Sequence, residues 1–269
     1  MGSVISVHSF RGGTGKSNLT ANLSSTLAAR GYRVGVFDTD IASPGIHVLF
    51  GINESSIDLS LNGFLWGKCS IEEAAVDVLP GLEGSAVPVS SSGALYLVPA
   101  SIDTGEIARV LHEGYDVGLL NDGILGLMKH YGLDFVFVDT HPGVNEETLL
   151  SIAISDVTII VLRPDQQDFQ GTAVTIELAR QLECKNLMLL INKAHRDADK
   201  AVLKRTVEQK LGAPVVDVIA LSDDMVQFGS GGVYCMRFPD HAYSKTISRV
   251  ADEIEAAVGA QPLTQRTAS

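Results

Sequence analysis

The sequence predicts an α/β protein built on a doubly wound, mostly parallel sheet flanked by helices, and three features carry that expectation. Short runs of Val, Ile and Leu recur along the chain with little polar alternation. Helical patterns fall between many of these runs, and the first run leads straight into a glycine-rich loop that opens a helix. Continuous apolar strands are what a sheet covered on both faces requires. Strand alternating with helix implies βαβ units.

Taken in order, strands are expected at Val4–Phe10, Arg33–Asp38, Leu95–Pro99, Phe135–Asp139, Val157–Leu162, Leu187–Ile191 and Val215–Leu221. Leu19, Leu23 and Leu27 recur at every fourth position, and Gly31 follows as a C-terminal stop, so a helix lies between the first two strands. Thr172–Leu182 and Ala201–Leu211 also read as helices. Ile247, Val250, Ile254 and Val258 form an apolar stripe near the end. Pro80–Gly93, rich in Gly, Ser and Pro, reads as a surface excursion within one domain. No repeat and no linker interrupts the chain, so residues 1–260 are expected to form a single domain, followed by a polar tail at 261–269. Trp66, the one tryptophan, is expected in the core rather than on a docking surface.

Composition narrows the classes. A net charge of −12 argues against a surface given over to nucleic acid. Cys69, Cys184 and Cys235 lie far apart and form no C-x-x-C pair, which disfavours a disulfide framework or a zinc site. No apolar stretch reaches the roughly 18 residues of a membrane span, and Val4–Val7 is too short for a secretory signal. A cytoplasmic location is the expectation.

The chemistry is concentrated at Arg11-Gly12-Gly13-Thr14-Gly15-Lys16-Ser17-Asn18. Strand, glycine loop and helix start in succession are the setting of a phosphate site. Glycines let main-chain N–H groups turn inward, and the helix start adds free donors and a positive dipole end. Lys16 is placed to reach β- and γ-phosphates, and the Ser17 hydroxyl to ligate Mg²⁺. The strict G-x-x-x-x-G-K-[ST] pattern fails, because Phe10 stands where it needs glycine. Asp139, at the end of an apolar strand, is a candidate for orienting Mg²⁺-bound water.

This loop resembles the deviant Walker A of the MinD/ParA ATPases. Val36-Phe37-Asp38-Thr39-Asp40 is similar to that family's first switch, Phe135–Gly143 to its Walker B strand and second switch, and Leu190-Ile191-Asn192-Lys193 to its adenine-reading strand end. The resemblance implies a P-loop fold binding ATP and Mg²⁺. It implies catalytic roles for Lys16, Asp40 (aligning the attacking water) and Arg11, nucleotide contacts from Gly12 through Asn18, and metal contacts at Ser17, Asp38 and Asp139. The Gly143 N–H is placed to meet the γ-phosphate. Asn192 either reads adenine or is a plain strand-end residue, and Leu221-Ser222-Asp223 is a further candidate to flank the base. Arg11 stands where the family has its signature lysine, which reaches across a dimer. Arginine keeps the charge but is planar and longer.

The resemblance implies a slow, partner-stimulated ATPase that dimerises with ATP and positions a division site, a DNA segment or a cargo. The alternatives are a metallocluster scaffold or carrier from a sister branch, whose cluster ligands are interface cysteines, and a regulatory ATP-binding module. Lys193, Arg196, Lys200, Lys204, Arg205 and Lys210 could contact DNA non-specifically, but Asp197, Asp199 and Glu208 dilute the charge and favour a solvated helix face. Asp252, Glu253 and Glu255 surround the C-terminal apolar stripe, so that helix is expected on the sheet and not on a membrane. His141 is expected to pack or to hydrogen-bond rather than to catalyse.

Overall fold

The computed structural model describes residues 2–82 and 85–260. Two residues of the 80–93 excursion and the whole 261–269 tail lie outside the described residues.

Eight strands form one sheet: β1 Ser3–His8, β2 Arg33–Asp38, β3 Val76–Asp77, β4 Ala94–Val98, β5 Phe135–Asp139, β6 Val157–Leu162, β7 Leu187–Ala194 and β8 Val215–Ala220. Their order across the sheet is β3-β4-β2-β5-β1-β6-β7-β8. Every neighbouring pair is parallel except the two-residue β3, which runs antiparallel along the edge at β4.

Side chains alternate between two covered faces, as the period of a strand dictates. On one face Ile5, Val7, Val34, Val36, Phe135 and Phe137 meet Leu19, Leu23 and Leu27 of the helix Lys16–Ala29. Ile247, Val250 and Ile254 of the helix Ala242–Ala257 close the same side. The C-terminal apolar stripe therefore packs on the sheet, as its acidic flanks suggested. On the other face Val4, Phe37, Val136 and Val138 meet Leu120, Ile124 and Leu127 of the helix Val117–Tyr131. Beyond β1, Ile160, Leu162, Leu189 and Ile191 are covered by Ile176 and Val207, from the helices Gln166–Gln181 and Lys200–Leu211. The sheet is thus wound on both sides.

Among the described residues, three helices of nine or more residues come from segments that carried no helical expectation: Thr104–Glu113, Val117–Tyr131 and Glu146–Ile154. Trp66 is half-buried rather than in the core. Its ring packs against the core just after the short helix Leu61–Leu65 and lies under the Arg109 guanidinium, 3.7 Å away. Strand β1 stops at His8, two residues short of the expected end, since Ser9 and Phe10 already turn into the loop. Strand β7 runs on to Ala194 through an irregularity between Ile191 and Ala194, where Lys193 takes a φ of 56°.

Parallel strands all point their C-terminal ends the same way, and ligands of open α/β sheets bind outside those ends. The register matters here. Asp38 on β2 lies directly beside Asp139 on β5, and Val7 on β1 lies beside Asp139 on its other flank.

Candidate nucleotide site

The loop leaving β1 turns twice through left-handed glycines, Gly13 at φ 75° and Gly15 at φ 97°. Gly15 also needs its lack of side chain, because an added Cβ would lie 2.7 Å from the Asn192 amide nitrogen. Gly15 is the N-cap of the helix Lys16–Ala29 and gives no side-chain cap. The first N–H groups of that helix therefore receive no side-chain cap, and uncapped N–H groups at a helix start are the arrangement that takes a phosphate. Lys16 is only 6% exposed and sits at this helix start. Phe10, the residue that breaks the strict motif, packs over Gly171, where a Cβ would meet its ring at 2.0 Å. The bulky residue is accommodated by a glycine on a distant helix.

Three carboxylates gather beside the lysine. Asp38 is fully buried and accepts from the N–H groups of Asp40 (3.2 Å) and Gly45 (3.3 Å). Burial and the neighbouring Asp139 and Asp40 hold its pKa well above the usual carboxylate range. Asp139 is pushed up to about 6 by burial, opposed by Ser17, Lys16 and Thr20, the last of which donates to Oδ1 at 3.2 Å. Asp40 is also raised by burial, against the pull of His141 and Lys16. Its Oδ1 lies 3.0 Å from His141 Nδ1.

Such dehydrated carboxylates are the groups that a divalent cation relieves, so Asp38, Asp139 and Ser17 suit a hard ion. Among the described residues no three His, Cys, Asp or Glu side chains form a cage. Mg²⁺ sites commonly keep waters and lean on substrate phosphates instead of an all-protein shell. When bound, Mg²⁺ would neutralise charge on the β- and γ-oxygens.

A pH dependence follows. Asp139 has a folded pKa above its unfolded one, so its contribution to stability is present below about pH 4 and is lost as pH rises through about 6. Mg²⁺ bound beside Asp139 would compete with that proton and offset the loss at higher pH. The rise in Tm produced by Mg-ATP should be small near about pH 5 and grow toward about pH 8. Differential scanning fluorimetry across that range checks it.

Several groups expected to touch nucleotide already hold protein partners. The Gly143 N–H donates to the Ser9 carbonyl at 3.1 Å. A γ-phosphate that used it would have to displace that bond. Asn192 donates from Nδ2 to the Thr14 carbonyl (2.7 Å) and accepts at Oδ1 from the Lys193 N–H (2.9 Å). It braces the loop, and one amide hydrogen is left for another acceptor. The Asn18 carbonyl accepts from Asn22 within the first helix. Arg11 lies 3.4 Å from Asp168 and 3.6 Å from Asp165, at the start of the helix Gln166–Gln181. Leu221 and Ser222 line a cavity of about 310 Å³ at the end of β8, with Arg196, Asp223 and His241. A larger cavity of about 750 Å³ opens at the opposite end of the sheet, around Ser3, Asp134 and Phe135. That end holds none of the residues described above.

Sequence reasoning missed other contacts and members of the site. Lys193, placed both at the adenine-reading strand end and in the basic patch, sends its Nζ to the Gly13 carbonyl at 2.7 Å. Arg196 pairs with Asp223, Lys204 donates to the Val216 carbonyl, and Lys210 lies over the Phe169 ring. Lys193, Arg196, Lys204 and Lys210 thus each have a partner within the fold. Glu147 lies beside Thr39, Tyr115 and Asp40, and burial lifts its pKa to about 7. His8 is buried behind the loop, and burial with Lys16 and His141 nearby drives its pKa down to about 3. Neither residue belongs to a recognisable local pattern.

A loop of this shape, on this sheet, with acids at the ends of β2 and β5, defines a P-loop NTPase. The ParA family model, described as NUBPL iron-transfer P-loop NTPase, matches residues 1–255, and the chain belongs to this family. Its fold is that of the MinD/ParA ATPases. It superposes on the MinD cell division protein of Aquifex aeolicus with a TM-score of 0.76 at 22% identity, over 94% of this chain and 97% of that one. For MinD of Pyrococcus horikoshii, solved with Mg-ADP, the TM-score is 0.75 at 19% identity, over 96% and 98% of the two chains. Among curated relatives, an uncharacterized ATP-binding protein of Methanocaldococcus jannaschii is 24% identical across 94% of this chain and 88% of its own length. The flagellum site-determining protein YlxH of Helicobacter pylori is 33% identical over 60% of this chain, which spans 48% of that protein. An iron-sulfur cluster carrier protein of Pyrococcus furiosus is 27% identical over 71% of this chain, which spans 61% of the carrier. Among the described residues no helix is long and apolar enough to cross a membrane.

Proposed function

We propose that this chain binds and slowly hydrolyses Mg-ATP as a dimerisation switch for spatial positioning, with a partner protein setting the hydrolysis rate. The observation that carries the reading is the meeting of an uncapped helix start at Gly15–Lys16 with Asp38 and Asp139 at adjoining strand ends and Asp40 two residues beyond β2. Phosphoryl transfer asks mainly for positioning and charge stabilisation, and this group supplies both. Lys16 and the loop amides grip the triphosphate tail, and Ser17, Asp38 and Asp139 hold the ion. Asp40 orients the attacking water. The Gly143 N–H exchanges the Ser9 carbonyl for the γ-phosphate, so the second switch relaxes when that phosphate leaves. Arg11, tied to Asp165 and Asp168 in the isolated chain, is the group to be released for contact across a dimer. The positioning output rests on relatives such as the flagellum site-determining protein.

Two findings favour a second reading, iron–sulfur carriage: the description of the matched family and the similarity to Pyrococcus carriers. Against it stand the cysteines. Cys235 is buried, and Cys69 and Cys184 are half-buried in separate parts of the fold.

Titration calorimetry with Mg-ATP, followed by light-scattering mass in ATP and in ADP, tests the first reading. Heat on titration and a doubled mass in ATP alone are expected. A protein that binds ATP yet stays monomeric sinks the dimer switch, and stoichiometric iron and sulfide in the purified protein would favour the carrier.

A further inference from the structure

We propose that His141 is a positioning residue for hydrolysis, holding the Asp40 carboxylate in the orientation that aligns the attacking water. The proposal rests on the ATPase reading above and deepens it.

The two residues are 101 positions apart and belong to different segments, yet His141 Nδ1 lies 3.0 Å from Asp40 Oδ1. A carboxylate oxygen can only accept, so Nδ1 carries the proton and donates. The pair is mostly shielded, with Asp40 15% and His141 34% exposed at the side chain. A hydrogen bond to a charged group in such a place is among the stronger kinds.

The rest of the geometry shows which partner holds which. The His141 segment is pinned to the central strand. Thr140 donates its N–H to the Val7 carbonyl at 3.3 Å and its hydroxyl proton to the same oxygen at 3.1 Å. Gly143, two residues beyond His141, donates to the Ser9 carbonyl. His8 completes the anchorage from below, with Nδ1 2.8 Å from Thr140 Oγ1. Because the Thr140 proton is already committed to Val7, His8 Nδ1 must be the donor. Its Nε2 is then bare and, among the described residues, has no hydrogen-bond partner. His8 is therefore a neutral ring locked in one tautomer, and it fixes Thr140 at the base of the His141 arm.

Asp40 lies on a looser segment. Residues 39–45 form no helix or strand. Thr39 is tied through its N–H and its hydroxyl to the Asp139 carbonyl, both at 3.0 Å, and Asp40 follows at the start of a turn closed by Ser43. The backbone is thus placed, and the Ser43 N–H of the same turn also reaches the carboxylate. The bond from His141 adds the hold that comes from outside this segment, from the side of the second switch. Catalytic groups work when their rotamers are locked by such supporting bonds, and loss of alignment by about 1 Å costs on the order of 100-fold in rate.

The experiment measures steady-state ATP turnover and nucleotide affinity for wild type, His141→Ala and His141→Asn, alone and combined with Asp40→Ala. Asparagine places an amide N–H near where Nδ1–H stood. The expected result for His141→Ala is a kcat lowered about 10- to 100-fold with KM and nucleotide affinity within about twofold of wild type. His141→Asn should recover most of the rate, and His141→Ala should change nothing once Asp40 is already alanine. A residue that merely packs would not give rescue by Asn or silence in the Asp40→Ala background. The proposal is overturned if His141→Ala turns over at the wild-type rate, if Asn is no better than Ala, or if the loss lies in KM alone. Wild-type protein that fails to bind or hydrolyse ATP overturns the ATPase reading itself, and this proposal with it.

Discussion

Replacing Lys16 with alanine should remove measurable ATP turnover and weaken Mg-ATP binding by about two orders of magnitude, the scale seen when a preorganised donor to transferring charge is deleted. The reason lies in where the ammonium sits. Lys16 is almost fully buried, at the first position of a helix whose N-cap contributes no side chain. A charge held there costs solvation, which the neighbouring Asp40 and Asp139 carboxylates offset in part and a strongly anionic ligand offsets further. The loop around it is braced from outside by Asn192 on the Thr14 carbonyl and Lys193 on the Gly13 carbonyl, so the amides keep their orientation without Lys16. The alanine variant should therefore fold, with an unchanged far-ultraviolet circular dichroism spectrum, and fail at binding. Calorimetry checks it. Nucleotide affinity equal to wild type would mean that the phosphates lie elsewhere.

Much of this could be read from residues alone, and the parts that could not share a cause. The strands of the sheet were legible because β5 and β6 are continuous apolar runs buried on both faces. The helix Val117–Tyr131 was not, because Gly118, Gly123 and Gly126 look like breakers. Gly123 is there for contact: a Cβ would stand 2.7 Å from the Phe64 ring, so the helix can approach the 61–65 segment only with glycine at that point. Strand β3 has two residues and exists by pairing with the edge of β4, a tertiary effect with no local signature. The site divides the same way. Lys16, Asp38 and Asp139 stand at a helix start or at strand ends, with Asp40 two residues past β2, and could be placed by pattern. The partners of Arg11 and Lys193 could not, since Asp168 is 157 and Gly13 is 180 positions away in sequence. Those contacts arise because β6 pairs with β1 and β7 lies one strand further out, so the segments that follow them return to the loop.

Asp40→Ala should separate binding from hydrolysis. Asp38, Asp139 and Lys16 lie on rigid strand and helix ends, and none of them depends on the Asp40 carboxylate for its place. The Asp38 side chain is held by main-chain N–H groups, one of them from Asp40 itself, which alanine retains. Asp139 is held by Thr20. Mg-ATP affinity should consequently stay within a fewfold of wild type, while kcat falls by about 10²- to 10⁴-fold, the range for loss of a positioned acid–base group. Removing a carboxylate also relieves like-charge crowding around Asp38 and Asp139, so the variant should be no less stable than wild type in the absence of nucleotide. With turnover blocked and ATP retained, the closed dimer should persist, read as a doubled mass by light scattering long after wild type has consumed its ATP and returned to monomer. If Asp40→Ala hydrolyses ATP at the wild-type rate, Asp40 does not orient the water. If it holds ATP without turnover but remains monomeric, nucleotide binding is not coupled to dimerisation in this chain.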